Sequence, residues 1–203
     1  TSIAILNEKI FVSYGFQDEI QVFDLNGNFL SKFGSSGNQK GEFSKPMQIS
    51  ASNDLLYIAD SGNKRIQVVD SEGQFVKEFV IQISNESEIT IDLDVFKNKI
   101  YVINNRNSDV LIYDLNGNLI KKNIHEQNTG NSSIGVENEL MVVSNANKNT
   151  ITIFDLDGIT MNEFGNYGNH YGEFKSPRGI TVNDGKIYVS DPYNYRIQVF
   201  SME

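Results

Sequence analysis

At 203 residues the chain is long enough for one domain with a sizeable core, and nothing in its composition calls for two. Lys and Arg number 17 against 26 Asp and Glu, and the net charge of -9 removes any electrostatic reason to approach a phosphate backbone, so generic nucleic-acid binding is disfavoured. The absence of cysteine excludes disulfides, thiolate catalysis and Cys-ligated zinc.

No apolar run approaches the length of a membrane span, and Thr1 to Lys9 lack a basic flank followed by an apolar stretch. A start at Thr1 rather than Met reads as a processed product or part of a longer polypeptide, whose targeting segment would lie upstream.

Taken in chain order, the elements repeat. Ile20-Gln21-Val22-Phe23 precedes Asp24-Leu25-Asn26-Gly27, and Ile66-Gln67-Val68-Val69 precedes Asp70-Ser71-Glu72-Gly73. Val110 to Tyr113 precede Asp114-Leu115-Asn116-Gly117, and Ile151 to Phe154 precede Asp155-Leu156-Asp157-Gly158. A fifth apolar run, Ile197-Gln198-Val199-Phe200, closes the series. The Asp-x-x-Gly intervals are 46, 44 and 41 residues. β-Branched and aromatic residues alternating over four to six positions, bounded by Gly, Asn and Asp, predict short half-buried strands.

Four such runs occur per repeat; in the second they are Met47 to Ala51, Leu55 to Ala59, Arg65 to Asp70 and Gln74 to Phe79. Asp-x-x-Gly then falls between the third and fourth strands, where a tight turn needs a side-chain acceptor and a residue tolerant of positive φ. Four antiparallel strands at this period predict an all-β chain of β-propeller blades, with repeats at about 1–34, 43–79, 89–124, 132–165 and 174–203. Val22, Val68, Ile112, Ile153 and Val199 are expected to pack equivalently.

The linker Phe33-Gly34-x-x-Gly37-x-x-x-Gly41-Glu42-Phe43-x-x-Pro46 recurs with the same spacing from Phe164 to Pro177. It leads into Tyr57-Ile58-Ala59-Asp60-Ser61-Gly62-Asn63-Lys64-Arg65-Ile66-Gln67-Val68, and in the fifth repeat into Tyr188 to Val199. This resembles the NHL repeat, strongly in the second and fifth units and weakly in the others. The resemblance implies a propeller, six blades being the usual number; it covers scaffolds, nucleic-acid binders and lyases, so it speaks to fold more than to function. Four complete blades and three strands of a fifth leave cropping from a longer chain, closure by a partner or a five-bladed ring, and cropping is the expectation. Propeller lyases of this kind use metal-binding histidines that have no counterparts here.

Asp60 with Arg65 and Asp191 with Arg196 flank the turn between second and third strands, where carboxylate and guanidinium would meet across a hairpin. Tyr14 with Glu19, Asn104 with Asp109 and Asn145 with Thr150 lose both partners together. A structural pair is the expectation, worth on the order of 1 kcal/mol.

For chemistry, two histidines, His125 and His170, exclude a three-histidine zinc site, and no G-x-S-x-G motif supports a nucleophile. Asp92 and Asp94 alternate onto one face of a first strand and are the candidate calcium donors, but Gln48 and Thr181 in other first strands add no carboxylate. No cofactor and no metal site is therefore expected, the alternative being a lyase- or hydrolase-type propeller enzyme with a calcium-dependent site at the central tunnel.

For recognition, the second-to-third turns and the linkers emerge on one face of a propeller disc. Tyr14, Phe16, Tyr167, His170, Tyr193 and Tyr195 gather there as candidate partner-binding residues, with Tyr171 and Tyr167 also read as plugs over the linker. The first and fifth repeats would be neighbours in a closed ring. Cations in these loops are interleaved with carboxylates, so RNA is not expected. The sequons Asn85-Glu86-Ser87 and Asn131-Ser132-Ser133 are candidate glycan acceptors, which favours an extracellular or cell-surface location over a cytoplasmic one. The leading functional expectation is a non-catalytic scaffold for protein, peptide or carbohydrate, open to self-association, without nucleic acid and without direct membrane insertion.

Overall fold

A computed structural model describes residues 1–82, 91–104, 110–123 and 130–202. The chain divides into two compact units, Thr1–Asn98 with Asp114–Asn118, and Lys99–Tyr113 with Leu119–Glu203. Regular structure among the described residues is strand, apart from two single 3₁₀ turns, Ser61–Asn63 and Pro192–Asn194.

In the first unit, β1 (Ile3–Leu6), β2 (Lys9–Tyr14), β3 (Glu19–Asp24) and β4 (Phe29–Phe33) form one sheet in chain order. A second sheet takes β5 (Pro46–Ser52), β6 (Leu55–Asp60), β7 (Arg65–Asp70) and β8 (Phe75–Val80), again in chain order. The third repeat supplies β9 (Ile91–Phe96) to this unit and β10 (Lys99–Asn104), β11 (Val110–Asp114) and β12 (Leu119–Asn123) to the other, apart from the β11–β12 turn.

The second unit continues with β13 (Asn131–Glu137), β14 (Leu140–Asn145), β15 (Thr150–Asp155) and β16 (Thr160–Phe164), a four-stranded antiparallel sheet. Its last sheet is three-stranded, β17 (Ile180–Asn183), β18 (Lys186–Asp191) and β19 (Arg196–Ser201). The blade architecture expected from the alternation is therefore the one observed.

Local chemistry explains each turn. Asp24 Oδ1 accepts the backbone N–H groups of Asn26 and Asn28 at 2.9 and 2.8 Å, while Gly27, at φ 84, donates to Asp24 O. The same turn recurs at Asp70, Asp114 and Asp155, each beside a register shift in the adjoining ladder. The extra residue is a β-bulge that lets a turn with left-handed glycine join two twisted strands. First-to-second hairpins use paired left-handed residues, Asn7 and Glu8, Asn53 and Asp54, Asn138 and Glu139, a backbone that short polar side chains tolerate.

The linker's Phe-Gly pair has a packing cause. Phe43 is wholly buried in the first unit's core with Phe11, Ile49 and Leu56, and a Cβ on Gly34, already at φ 90, would lie 2.6 Å from its ring. Gly165 and Phe174 repeat the arrangement in the second unit at 2.7 Å.

One expectation fails. Val22, Val68, Ile112 and Ile153 are buried, but Val199 is 42% exposed and its same-face neighbour Ile197 is more exposed still. The register is intact, since Val199 faces Tyr188 as Val68 faces Tyr57. What differs is cover: β17 to β19 are the last described strands, and among the described residues no following repeat lies on that face of the sheet.

Candidate partner-binding loops

Each second-to-third turn of the second and fifth repeats is anchored to the linker before its blade. Asp60 and Arg65 are register partners, and Arg65 Nε donates to Asp60 Oδ2 at 2.7 Å with both side chains buried. The guanidinium then donates to the carbonyls of Asn38, Gln39 and Glu42 at 2.8 to 2.9 Å and reaches Glu78 Oε2 at 2.7 Å. Asp60 Oδ1 takes the Ser44 N–H at 2.7 Å, and Asn63 Nδ2 donates to Gly37 O at 2.8 Å. The pair read from the sequence as a hairpin bridge is thus the centre of a clamp on the linker.

The fifth repeat copies it. Arg196 Nε donates to Asp191 Oδ2 at 3.0 Å, and its remaining nitrogens reach the carbonyls of Asn169, His170 and Glu173 at 2.7 Å. Lys175 N donates to Asp191 Oδ1, and Asn194 Nδ2 donates to Gly168 O, each at 2.8 Å. Gln67 and Gln198 belong to the same clamps, accepting from Gly41 N and Gly172 N at 3.0 Å and donating to Glu42 O and Glu173 O. Sequence reasoning missed these glutamines, although their recurrence two residues after each arginine was the available signal.

The clamp sets out the aromatic loop of the second unit. Asn194, between Tyr193 and Tyr195, is bonded to Gly168, the neighbour of Tyr167, so these candidates share one end of the last sheet. Tyr193 is 61% exposed, Tyr167 70% and Tyr195 96%; His170 is exposed beside them. Tyr195 is left-handed at φ 53, as is its counterpart Lys64 at φ 55, so the backbone is a property of the repeat and the ring is particular to this one. Lys175 Nζ stands 5.9 Å over the Tyr167 ring.

Tyr171 behaves in part as the expected plug: its hydroxyl donates to Val199 O at 2.9 Å and its ring lies 5.1 Å from that of Phe200, although much of the side chain stays exposed. Glu173 ties the loop internally by accepting the backbone N–H groups of Asn169 and His170 at 3.0 Å. The His170 N–H bond holds its carboxyl below the ordinary glutamate range, with Asn166 and Asn169 adding to the effect and burial opposing it.

Tyr14 and Phe16 belong to the first unit, where Tyr14 is at the margin of exposure and Phe16 fully exposed. Asp94 accepts the Ser50 hydroxyl at 3.0 Å, and Asp92 is buried. Among the described residues no three His, Cys, Asp or Glu side chains gather as metal ligands. Asn85, His125 and Asp109 lie outside the described residues, as do the side chains of Asn104 and Asn131.

Antiparallel blades of this construction, repeated with their linker clamps, define an all-β protein of the β-propeller class. The family model described as NHL repeat matches residues 174–200, and one described as 6-bladed beta-propeller matches residues 1–94. The chain is 31% identical over 107 residues to "Protein brain tumor" of Drosophila melanogaster, a match covering 51% of this chain and 10% of that protein. The chain thus spans about a tenth of the length of that relative.

Among solved structures, "Streptogramin B lyase structure" superposes with a TM-score of 0.73 at 14% identity, over 99% of this chain and 68% of that one. "Crystal structure of Nidogen/Laminin Complex" does so with a TM-score of 0.75 at 10% identity, over 99% and 75%. At these identities the likeness is one of fold.

Proposed function

We propose that the chain is a non-catalytic binding scaffold, its blades holding a loop surface that takes a protein or peptide partner. One observation carries the reading. Tyr193 and Tyr195 project from a turn that the Asn194 side chain ties to Gly168 and Asp191, at positions where the second repeat makes the same turn with Gly62 and Lys64. The repeat has no need of the rings, and exposed aromatic area lowers solubility without helping the blade pack. Rigid aromatic side chains on an anchored loop are the usual energetic centre of a protein interface, because little entropy is lost when they are covered.

The structural neighbours include both a lyase and a complex, so fold likeness does not choose between catalysis and binding. The choice rests on the loop. The test is to select binders to the full chain from a displayed library of random peptides and measure them against the Tyr193→Ser/Tyr195→Ser double variant. Association should weaken by about 1 to 3 kcal/mol while the melting temperature holds. Binders indifferent to the double substitution would remove this surface from consideration.

A further inference from the structure

We infer that the loop surface of the second unit takes an acidic peptide, one that pairs carboxylates with apolar side chains. The inference rests on the partner-binding reading above and adds the partner's chemistry. Three segments meet at this end of the unit: the turn after β14, the linker from Gly165 to Gly179 and the turn after β18. Ser176 N donates to Asn149 Oδ1, Lys175 N to Asp191 Oδ1 and Asn194 Nδ2 to Gly168 O, each at 2.8 Å, so the segments are bonded to one another.

Their charges do not follow the chain. Lys148, Lys175, Arg178 and Arg196 stand against two carboxylates, Glu173 and Asp191, in a protein of net charge -9. Both carboxylates are occupied internally. Asp191 is wholly buried, with Oδ1 held by Lys175 N and Oδ2 by Asn194 and Arg196. Glu173 Oε2 is held by two backbone N–H groups of the loop. Arg196 spends its guanidinium on Asp191 and three carbonyls. The cations presented outward are therefore Lys175, over the Tyr167 ring, and Arg178, which is exposed.

Two opposing effects decide the partner. The chain as a whole repels anions, but at physiological ionic strength the Debye length is about 8 Å, so distant carboxylates are screened while cations at the contact act in full. An extended acidic peptide places carboxylates against Lys175 and Arg178 and lays its apolar side chains on Tyr193 and Tyr195. A nucleic acid would also meet rings and cations, but tight binding draws on roughly 6 to 10 phosphate contacts, and Lys175 and Arg178 fall well short of that. The peptide is the better fit.

The experiment reads charge directly. Random dodecapeptides displayed on phage are selected on the full chain, and the enriched peptides are synthesised and titrated by fluorescence anisotropy. Enriched sequences should be net acidic with at least one large apolar residue. Their binding should fall by about tenfold or more on Lys175→Glu/Arg178→Glu and fall steadily with added salt. Should the charge-reversal variant not fold, the salt series and synthetic peptides with Glu changed to Gln decide the same question on the native chain.

Neutral or basic peptides that nevertheless require Tyr193 and Tyr195 would overturn the acidic partner and leave the binding surface standing. Peptides that bind regardless of both double variants would overturn the surface as well. Oligouridylate displacing the peptides at lower concentration than they bind would also overturn the inference, in favour of single-stranded nucleic acid.

Discussion

Arg65 and Asp60 meet at 2.7 Å with the arginine side chain 9% and the aspartate side chain 0% exposed, whereas Arg196 and Asp191, in the matching positions of the last repeat, meet at 3.0 Å with the arginine side chain 28% exposed. The same motif therefore works in two environments. In the first the ion pair is closed off from water and also holds three linker carbonyls; in the second the carbonyls are held but the arginine is partly wet.

Arg65→Ala should lower stability by about 3 kcal/mol, well above the order of 1 kcal/mol expected of an exposed pair, because it strands a buried carboxylate and frees three carbonyls. Arg196→Ala should cost about half as much. Arg65→Lys should recover little, since an ammonium cannot reproduce the fork that spans Asp60, Asn38, Gln39 and Glu42. Urea midpoints of the three variants settle the order, and equal losses at the two arginines would show that burial is not what distinguishes them.

The Asp-x-x-Gly turns make a pH prediction. The Asn28 side chain and backbone hold the Asp24 carboxyl below its ordinary value of 3.8, and Asn118 does the same for Asp114. A carboxyl whose folded pKa is depressed contributes stability above its unfolded pKa and loses it as pH falls through the folded value. The turns should therefore be intact at neutral pH and loosen only below about pH 4. Carboxyl titration by NMR should place Asp24 and Asp114 below Asp residues of a short unfolded peptide; values above those would contradict the turn geometry.

Cover, rather than register, separates Val68 from Val199. Val68→Ala should cost about 2 kcal/mol by leaving a cavity between packed faces, and Val199→Ala less than about 1 kcal/mol. Thermal melts of the two variants in the same chain make the comparison. A large loss at Val199 would mean that its face is covered in solution.

The sequence by itself determined the repeat and its strands. Alternation in Ile66-Gln67-Val68-Val69 and its four counterparts imposes a pleat with one residue in two on each face, and Asp-x-x-Gly carries the acceptor and the left-handed glycine that its turn requires. Both effects act within a few residues, so they are legible without a partner. The Asp60–Arg65 pair was legible for the same reason, being opposite one another on a two-strand hairpin.

Tertiary structure decided what lies across from those local elements. That Arg65 grips carbonyls 23 to 27 residues away and that Asp94 takes a hydroxyl from Ser50 depend on how one repeat settles against the next. Val199 shows the limit most plainly: its local pattern equals that of Val68, yet one is sealed and the other open, because burial belongs to the surface laid over a strand and is not encoded in the strand's own residues.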